Sequence, residues 1–207
     1  MSYLELPNEA QLWQRGVALD WYTTGYDKEK LTYIKSDLGQ AVREYKYYSR
    51  LDKKRREAIV RKCSDAITHV LRLEEEHEKP TFNSCIGVAP NRKTGHSLPL
   101  DLALQLSIKF DWISDDSNCL QKTREMETIK NIKGEKLRAE MLRDAYVVKD
   151  DFNPVGVRGF LIIDDVYETG ATLKEVCRTL QSKFPTIPRY VLTITQVKPT
   201  EVWKMEK

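Results

Sequence analysis

The stretch that most constrains this chain is FLIIDDVYETGAT, residues 160–172. Phe160, Leu161, Ile162 and Ile163 are apolar without alternation, so a strand built from them needs cover on both faces, as in a parallel sheet flanked by helices. Asp164 and Asp165 follow at once. Beyond them, the spacing of Leu173, Val176, Cys177 and Leu180 predicts an amphipathic helix over 171–183. Between strand and helix, Gly170 and Ala171 are small enough for backbone N–H groups to approach a ligand, and a helix N-terminus adds partial positive charge. The loop Glu168, Thr169, Gly170, Ala171 and Thr172 is therefore a candidate anion site, with helix capping by Thr169 or Thr172 as the simpler role. The acids favour a site. Adjacent carboxylates repel unless a cation or ligand hydroxyls compensate, and the C-terminal ends of buried strands line the ligand crevice of open α/β sheets.

The rest of the chain predicts the surroundings of that strand. Residues 1–25 carry Trp13, Trp21 and Tyr22 among polar neighbours, which predicts a short strand or irregular segment with Trp21 and Tyr22 as packing residues. Helical spacing runs over 37–60 with a break near Ser49, and Pro80 closes the helical region. SCIGVA, residues 84–89, reads as the first buried strand, and Pro90, Asn91, Arg92, Lys93, Thr94 and Gly95 form a turn with two cations. A helix over 98–109 and strands over 110–113, 145–148 and 190–197 complete the alternation, with His96 as a loop residue. The order predicts an α/β fold: a parallel sheet flanked by helices over 81–207, with residues 1–80 as a helical or hood segment packed on it within one structural domain.

Composition excludes little but narrows the chemistry. With 207 residues, 41% hydrophobic and 31% charged, the chain can bury a substantial core. A formal charge of +3 gives no global attraction for nucleic acid. The one local candidate is residues 50–62, where Arg50, Lys53, Lys54, Arg55, Arg56, Arg61 and Lys62 stand against Asp52 and Glu57; a solvated helix face is the alternative. Cys63, Cys85, Cys119 and Cys177 are scattered without a paired motif, which predicts buried free thiols and a reduced, cytoplasmic compartment. No stretch approaches membrane-spanning length, and MSYLELPNEAQLW lacks a basic start followed by a long apolar run.

FLIIDDVYETGAT resembles the phosphoribosyl-pyrophosphate (PRPP) signature of the type I phosphoribosyltransferases, in which apolar residues precede two acids, a short spacer and a Thr-Gly-x-Thr loop. The resemblance implies that family's fold, and transfer of a 5-phosphoribosyl group from PRPP with Mg2+ to a nucleobase-like acceptor, releasing pyrophosphate. It implies that Asp164 and Asp165 are the catalytic pair, facing the ribose 2′- and 3′-hydroxyls and holding the metal largely through water. Glu168, Thr169, Gly170, Ala171 and Thr172 would wrap the 5′-phosphate. Ala89, Pro90, Asn91, Arg92 and Lys93 would hold pyrophosphate, Arg92 foremost, because a guanidinium suits bidentate phosphate contact.

The charged interval 115–144 then corresponds to a mobile loop that closes over the reacting centre, with Arg124 and Lys133 as candidates to neutralise the departing pyrophosphate. A surface helix laced with ion pairs is the other reading of that interval. Glu168 departs from the family, which usually has a small residue there, often threonine or serine; a carboxylate beside a phosphate must turn away or meet a cation. A second stretch, DLGQAVREYKYYSRLDKKRREAI, is similar to competence protein ComF and its relatives in its Leu38-Gly39 pair followed by Lys46-Tyr47. That branch implies the alternative of a non-catalytic PRPP or nucleotide sensor, or a DNA-processing partner. These motifs specify neither the acceptor base nor the oligomeric state, and a homo-oligomer stays open.

Overall fold

The computed structural model describes residues 3–8, 10–47, 51–77, 81–89, 96–123 and 135–198. In chain order the strands are β1 (Leu4–Glu5), β2 (Arg15–Trp21), β3 (Thr23–Asp27), β4 (Thr32–Lys35), β5 (Ser84–Gly87), β6 (Ser114–Asp115), β7 (Leu120–Lys122), β8 (Tyr146–Val148), β9 (Phe160–Tyr167) and β10 (Arg189–Gln196). The helices are α1 (Asp37–Tyr47), α2 (Lys53–His77), α3 (Leu98–Lys109), α4 (Glu135–Leu142) and α5 (Ala171–Lys183). Six strands form one sheet in the order β1-β2-β10-β9-β5-β6, parallel throughout except for β1 against β2. β3 with β4 and β7 with β8 make separate antiparallel pairs.

The uninterrupted apolar run of β9 is explained by its position. Leu161 and Ile163 join Leu192 and Ile194 of β10 in a core shared with α1, α2 and α3, whereas Phe160 and Ile162 face the other way, into a core with α5 and β8. Helices therefore cover both faces, and alternate residues of one strand feed two hydrophobic layers. The helix α5 stripe behaves as its spacing predicts: Val176, Cys177 and Leu180 are inaccessible and Leu173 nearly so. All four cysteines are free and buried. Cys63 and Cys85 lie in the first layer, Cys119 and Cys177 in the second.

Three sequence expectations need correction. Residues 1–80 are not only a cover: β2 is a member of the main sheet, paired with β10 along Arg15–Trp21, and carries Val17 and Leu19 into one layer and Ala18 into the other. Its short apolar stretch is masked in sequence by the polar residues around it. The strand expected over 110–113 is a turn, in which the Ile113 N–H donates to the Phe110 carbonyl; pairing with β5 begins at Ser114. Phe110 and Ile113 are apolar because they are buried, not because they pair. Finally, β9 does not end at its acids but runs on beyond them to Tyr167.

Topology sets the place for a ligand. From β5 the chain crosses by α3 to β6 on one side, whereas β9 pairs on the other side of β5 and continues by α5 to β10. α3 and α5 lie in opposite layers, so strand order reverses between β5 and β9, where open α/β sheets form a crevice at the carboxyl ends of the strands.

Candidate functional site

β5 and β9 pair in register from Ser84 opposite Phe160 to Gly87 opposite Ile163, and the Val88 N–H closes the ladder on the Ile163 carbonyl at 2.9 Å. β10 stays paired with β9 as far as Gln196 opposite Tyr167. Asp164 and Asp165 therefore sit just past the point where β5 leaves, on the flank that opens into the switch-point crevice. Ala89, half-buried, leads from β5 toward the same edge. The other residues expected to hold pyrophosphate, Pro90, Asn91, Arg92 and Lys93, lie outside the described residues, as do Arg124 and Lys133 of the expected closing loop.

The two acids have different partners. Asp165 turns toward α1, where both its oxygens accept from Lys46 Nζ at 2.9 and 2.8 Å. Burial opposes the Lys46 charge, but the charge and hydrogen bonds of Asp165, with Asp164 behind, outweigh it and raise the ammonium pKa. Asp164 accepts the Asp165 backbone N–H at 2.8 Å and interacts electrostatically with Lys122 of β7 and Tyr146 of β8. Burial first, and the Asp165 charge second, push the Asp164 carboxyl up to about 7, against the opposing pull of Lys46 and Lys122. Lys122 Nζ stands 5.6 Å from the Tyr146 ring centroid, and burial lowers its pKa to about 8. Two buried hydroxyls complete this side, without hydrogen-bond partners among the described residues: Tyr146 Oη, and Thr193 Oγ1 on the β10 residue in register with Asp164.

The loop after β9 turns tightly into α5 at Gly170. Gly170 takes a left-handed φ of 68° at the N-cap of α5, where it offers no side chain to cap the helix. A Cβ at Gly170 would lie 2.6 Å from the Tyr167 ring, so both the backbone conformation and the close approach require glycine. Thr169 and Thr172 are half-buried, Ala171 is buried, and Thr169 Oγ1 accepts only a long 3.4 Å bond from the Ala171 N–H. Glu168, the departure from the family pattern, is exposed.

α5 is pinned from behind by a buried carboxylate. Glu175 accepts the Asp144 N–H at 2.7 Å and the Arg178 guanidinium at 2.9 and 2.8 Å, while Arg178 also reaches Asp144 at 2.6 Å. Asp144 has a φ of 58°, so the clamp holds a strained turn next to β8. Glu175→Ala is expected to cost about 2 kcal/mol and to lower Tm by roughly 4–8 °C in a chain of this size. An unchanged melting curve would show that the clamp carries no stability.

Sequence reasoning singled out Asp164, Asp165 and the loop, and the structure brings them together at one edge. It missed Lys46, Lys122 and Tyr146 as their neighbours and treated Tyr22 as packing alone, whereas Lys35 Nζ lies 5.1 Å from the Tyr22 ring and the charge of Asp165 acts on its phenol. In the basic run, Arg55 pairs with Glu44 at 2.5 Å, Lys62 with Asp37 at 3.5 Å and Lys53 with Glu57 at 3.9 Å. These pairs reduce the positive charge that α2 presents. Among the described residues no helix is long and apolar enough to cross a membrane. Comparison with protein-family models and with curated proteins finds no match for the chain.

Proposed function

We propose that this chain is a phosphoribosyltransferase of type I architecture: it binds PRPP with Mg2+ and transfers the 5-phosphoribosyl group to a nitrogen of a nucleobase-like acceptor. A C–N bond forms at ribose C1 as the C–O bond to pyrophosphate breaks, the leaving group departing with the electron pair. One observation carries the reading: an acid pair at the switch point of a largely parallel sheet, followed by a helix N-terminus with glycine at its N-cap.

The residues divide the work. Asp164 and Asp165 accept hydrogen bonds from the ribose hydroxyls, and a diol at Asp165 takes the place of the Lys46 ammonium. The backbone N–H groups at the start of α5 hold the 5′-phosphate, with Thr169 and Thr172 as hydroxyl donors. The donor set also fits a metal. The acids have different neighbours, Lys46 for one and Lys122 for the other, so they suit an ion held through water and ligand oxygens better than a direct two-carboxylate chelate. When bound, Mg2+ would supply charge neutralisation for pyrophosphate.

Isothermal titration of the folded chain with PRPP, with and without Mg2+, tests the proposal: saturable, metal-dependent binding is expected, and absence of binding overturns it. Pyrophosphate release across a panel of nucleobases separates enzyme from sensor. Binding without release would move the chain to the regulators.

A further inference from the structure

The α1 side of Asp165 carries more positive charge than the acid pair can use. Helix α1 begins with Ser36, whose Oγ accepts the Gly39 N–H at 2.9 Å. Gly39 then lies so close to the residue after β2 that a Cβ there would meet the Tyr22 carbonyl oxygen at 2.2 Å. Arg43 and Lys46 stand four and seven residues further along, on the helix face that Gly39 presses against Tyr22. Lys35, the last residue of β4, reaches the same ring from the other end, with Nζ 5.1 Å from its centroid. Three cations thus converge on one tyrosine beside Asp165, and Lys46 alone is matched, by Asp165 itself.

Among the described residues neither Lys35 nor Arg43 has a carboxylate within ion-pair distance. Their mutual repulsion is felt: burial first and the Arg43 charge second lower the Lys35 pKa. Like charges gathered without a counter-ion beside a crevice suit an anion, as the adjacent acids suit a cation or hydroxyls.

Neither phosphate-binding position accounts for this pair. The N-terminus of α5 belongs to the opposite layer of the sheet, and the β5 edge is separated from β2 by β9 and β10. We infer that Lys35 and Arg43, flanked by Tyr22 and Lys46, form a third anion subsite that takes a carboxylate on a planar acceptor. The acceptor role rests on the phosphoribosyltransferase reading, whereas the anion subsite rests on these residues alone. A planar ring suits the Tyr22 ring beside Lys35, and a carboxylate suits donors that include a guanidinium.

The test uses matched probes on the full chain: orotate against uracil, and nicotinate against nicotinamide, titrated calorimetrically with and without PRPP and Mg2+. At least one carboxylate is expected to bind about tenfold or more tightly than its uncharged partner, as charge-assisted hydrogen bonds permit. The preference should vanish in Lys35→Gln/Arg43→Gln and persist in Lys35→Arg. Arg43 is exposed, so its replacement leaves the core untouched, and thermal unfolding checks the fold of each variant. Equal affinity for charged and uncharged probes, no binding of any probe, or a preference unchanged in the double variant would overturn the subsite. So would a double variant that loses only pyrophosphate affinity, since the cations would then serve the leaving group. Charge-selective binding of a carboxylate without any binding of PRPP would keep the subsite and sink the proposed transferase. Binding of PRPP without charge selectivity would do the reverse.

Discussion

Asp164→Asn is expected to make the protein more stable near neutral pH while removing the proposed binding of PRPP. The sign follows from the direction of the shift. Burial and the neighbouring Asp165 hold the Asp164 carboxyl at about 7 in the folded chain, above its ordinary value of 3.8. A group whose pKa rises on folding contributes stability that is present below the unfolded value and is lost as pH climbs through the folded one. Wild-type protein should therefore lose stability between about pH 4 and pH 7 as Asp164 ionises. Asparagine never ionises. The melting temperature of Asp164→Asn minus that of wild type should widen between about pH 4 and pH 7, by several degrees, and stay level above that. Binding should fall by at least about 100-fold, because the ribose loses a charged acceptor and Asp165 loses the neighbour that shapes its surroundings. In wild type, affinity for the ligand should itself rise with pH through the same interval. Lys122, held down to about 8, loses its charge just above this window, so the expected profile turns over there. A stability difference that is constant across pH would show that the Asp164 charge costs the fold nothing. Such a carboxylate, retained against stability, is what a binding site looks like in thermodynamic terms.

Gly170→Ala should disable the proposed anion cradle with little effect elsewhere. An L-residue at a φ of 68° costs about 1–2 kcal/mol, and the new methyl group would also sit 2.6 to 2.8 Å from three atoms of the buried Tyr167 ring. The ring is packed and cannot swing aside, so the loop must move, and with it the first N–H groups of α5. Affinity for ribose 5-phosphate is expected to drop by more than about tenfold, with a modest fall in Tm. Adding Tyr167→Leu should relieve the contact but not the backbone, restoring part of the affinity. Unaltered binding of ribose 5-phosphate by Gly170→Ala would remove the loop from the site.

What could be foreseen from the sequence was local. The β9 run announces its own burial because every position is apolar, and α3 and α5 begin and end where spacing and turn residues set their limits. The acids and the loop are neighbours in the chain, so their juxtaposition needed no tertiary information. Lys46 and Asp165 are 119 residues apart, and nothing in a charged helix end announces which carboxylate it will meet. Lys122 looked like one cation among many in a charged interval, and only its burial against Tyr146 and Asp164 distinguishes it. The place of β2 in the main sheet was missed for a related reason: the three apolar residues Val17, Ala18 and Leu19 suffice when β10 supplies the ladder and two layers supply the cover. The limit of β9 was misjudged because adjacent carboxylates resemble a strand terminus, whereas the ladder with β10 tolerates them on a flank that β5 has vacated.

The four sequestered thiols turn the interior into its own stopwatch. Burial raises the pKa of Cys63, Cys119 and Cys177 to about 12 and that of Cys85 well above its ordinary value, so almost no thiolate exists at neutral pH in the closed molecule. A thiol reagent must therefore wait for an opening event, and its rate counts those events. Because two cysteines sit on each side of the sheet, the modification order tells which layer peels away first, without introducing any probe into the chain.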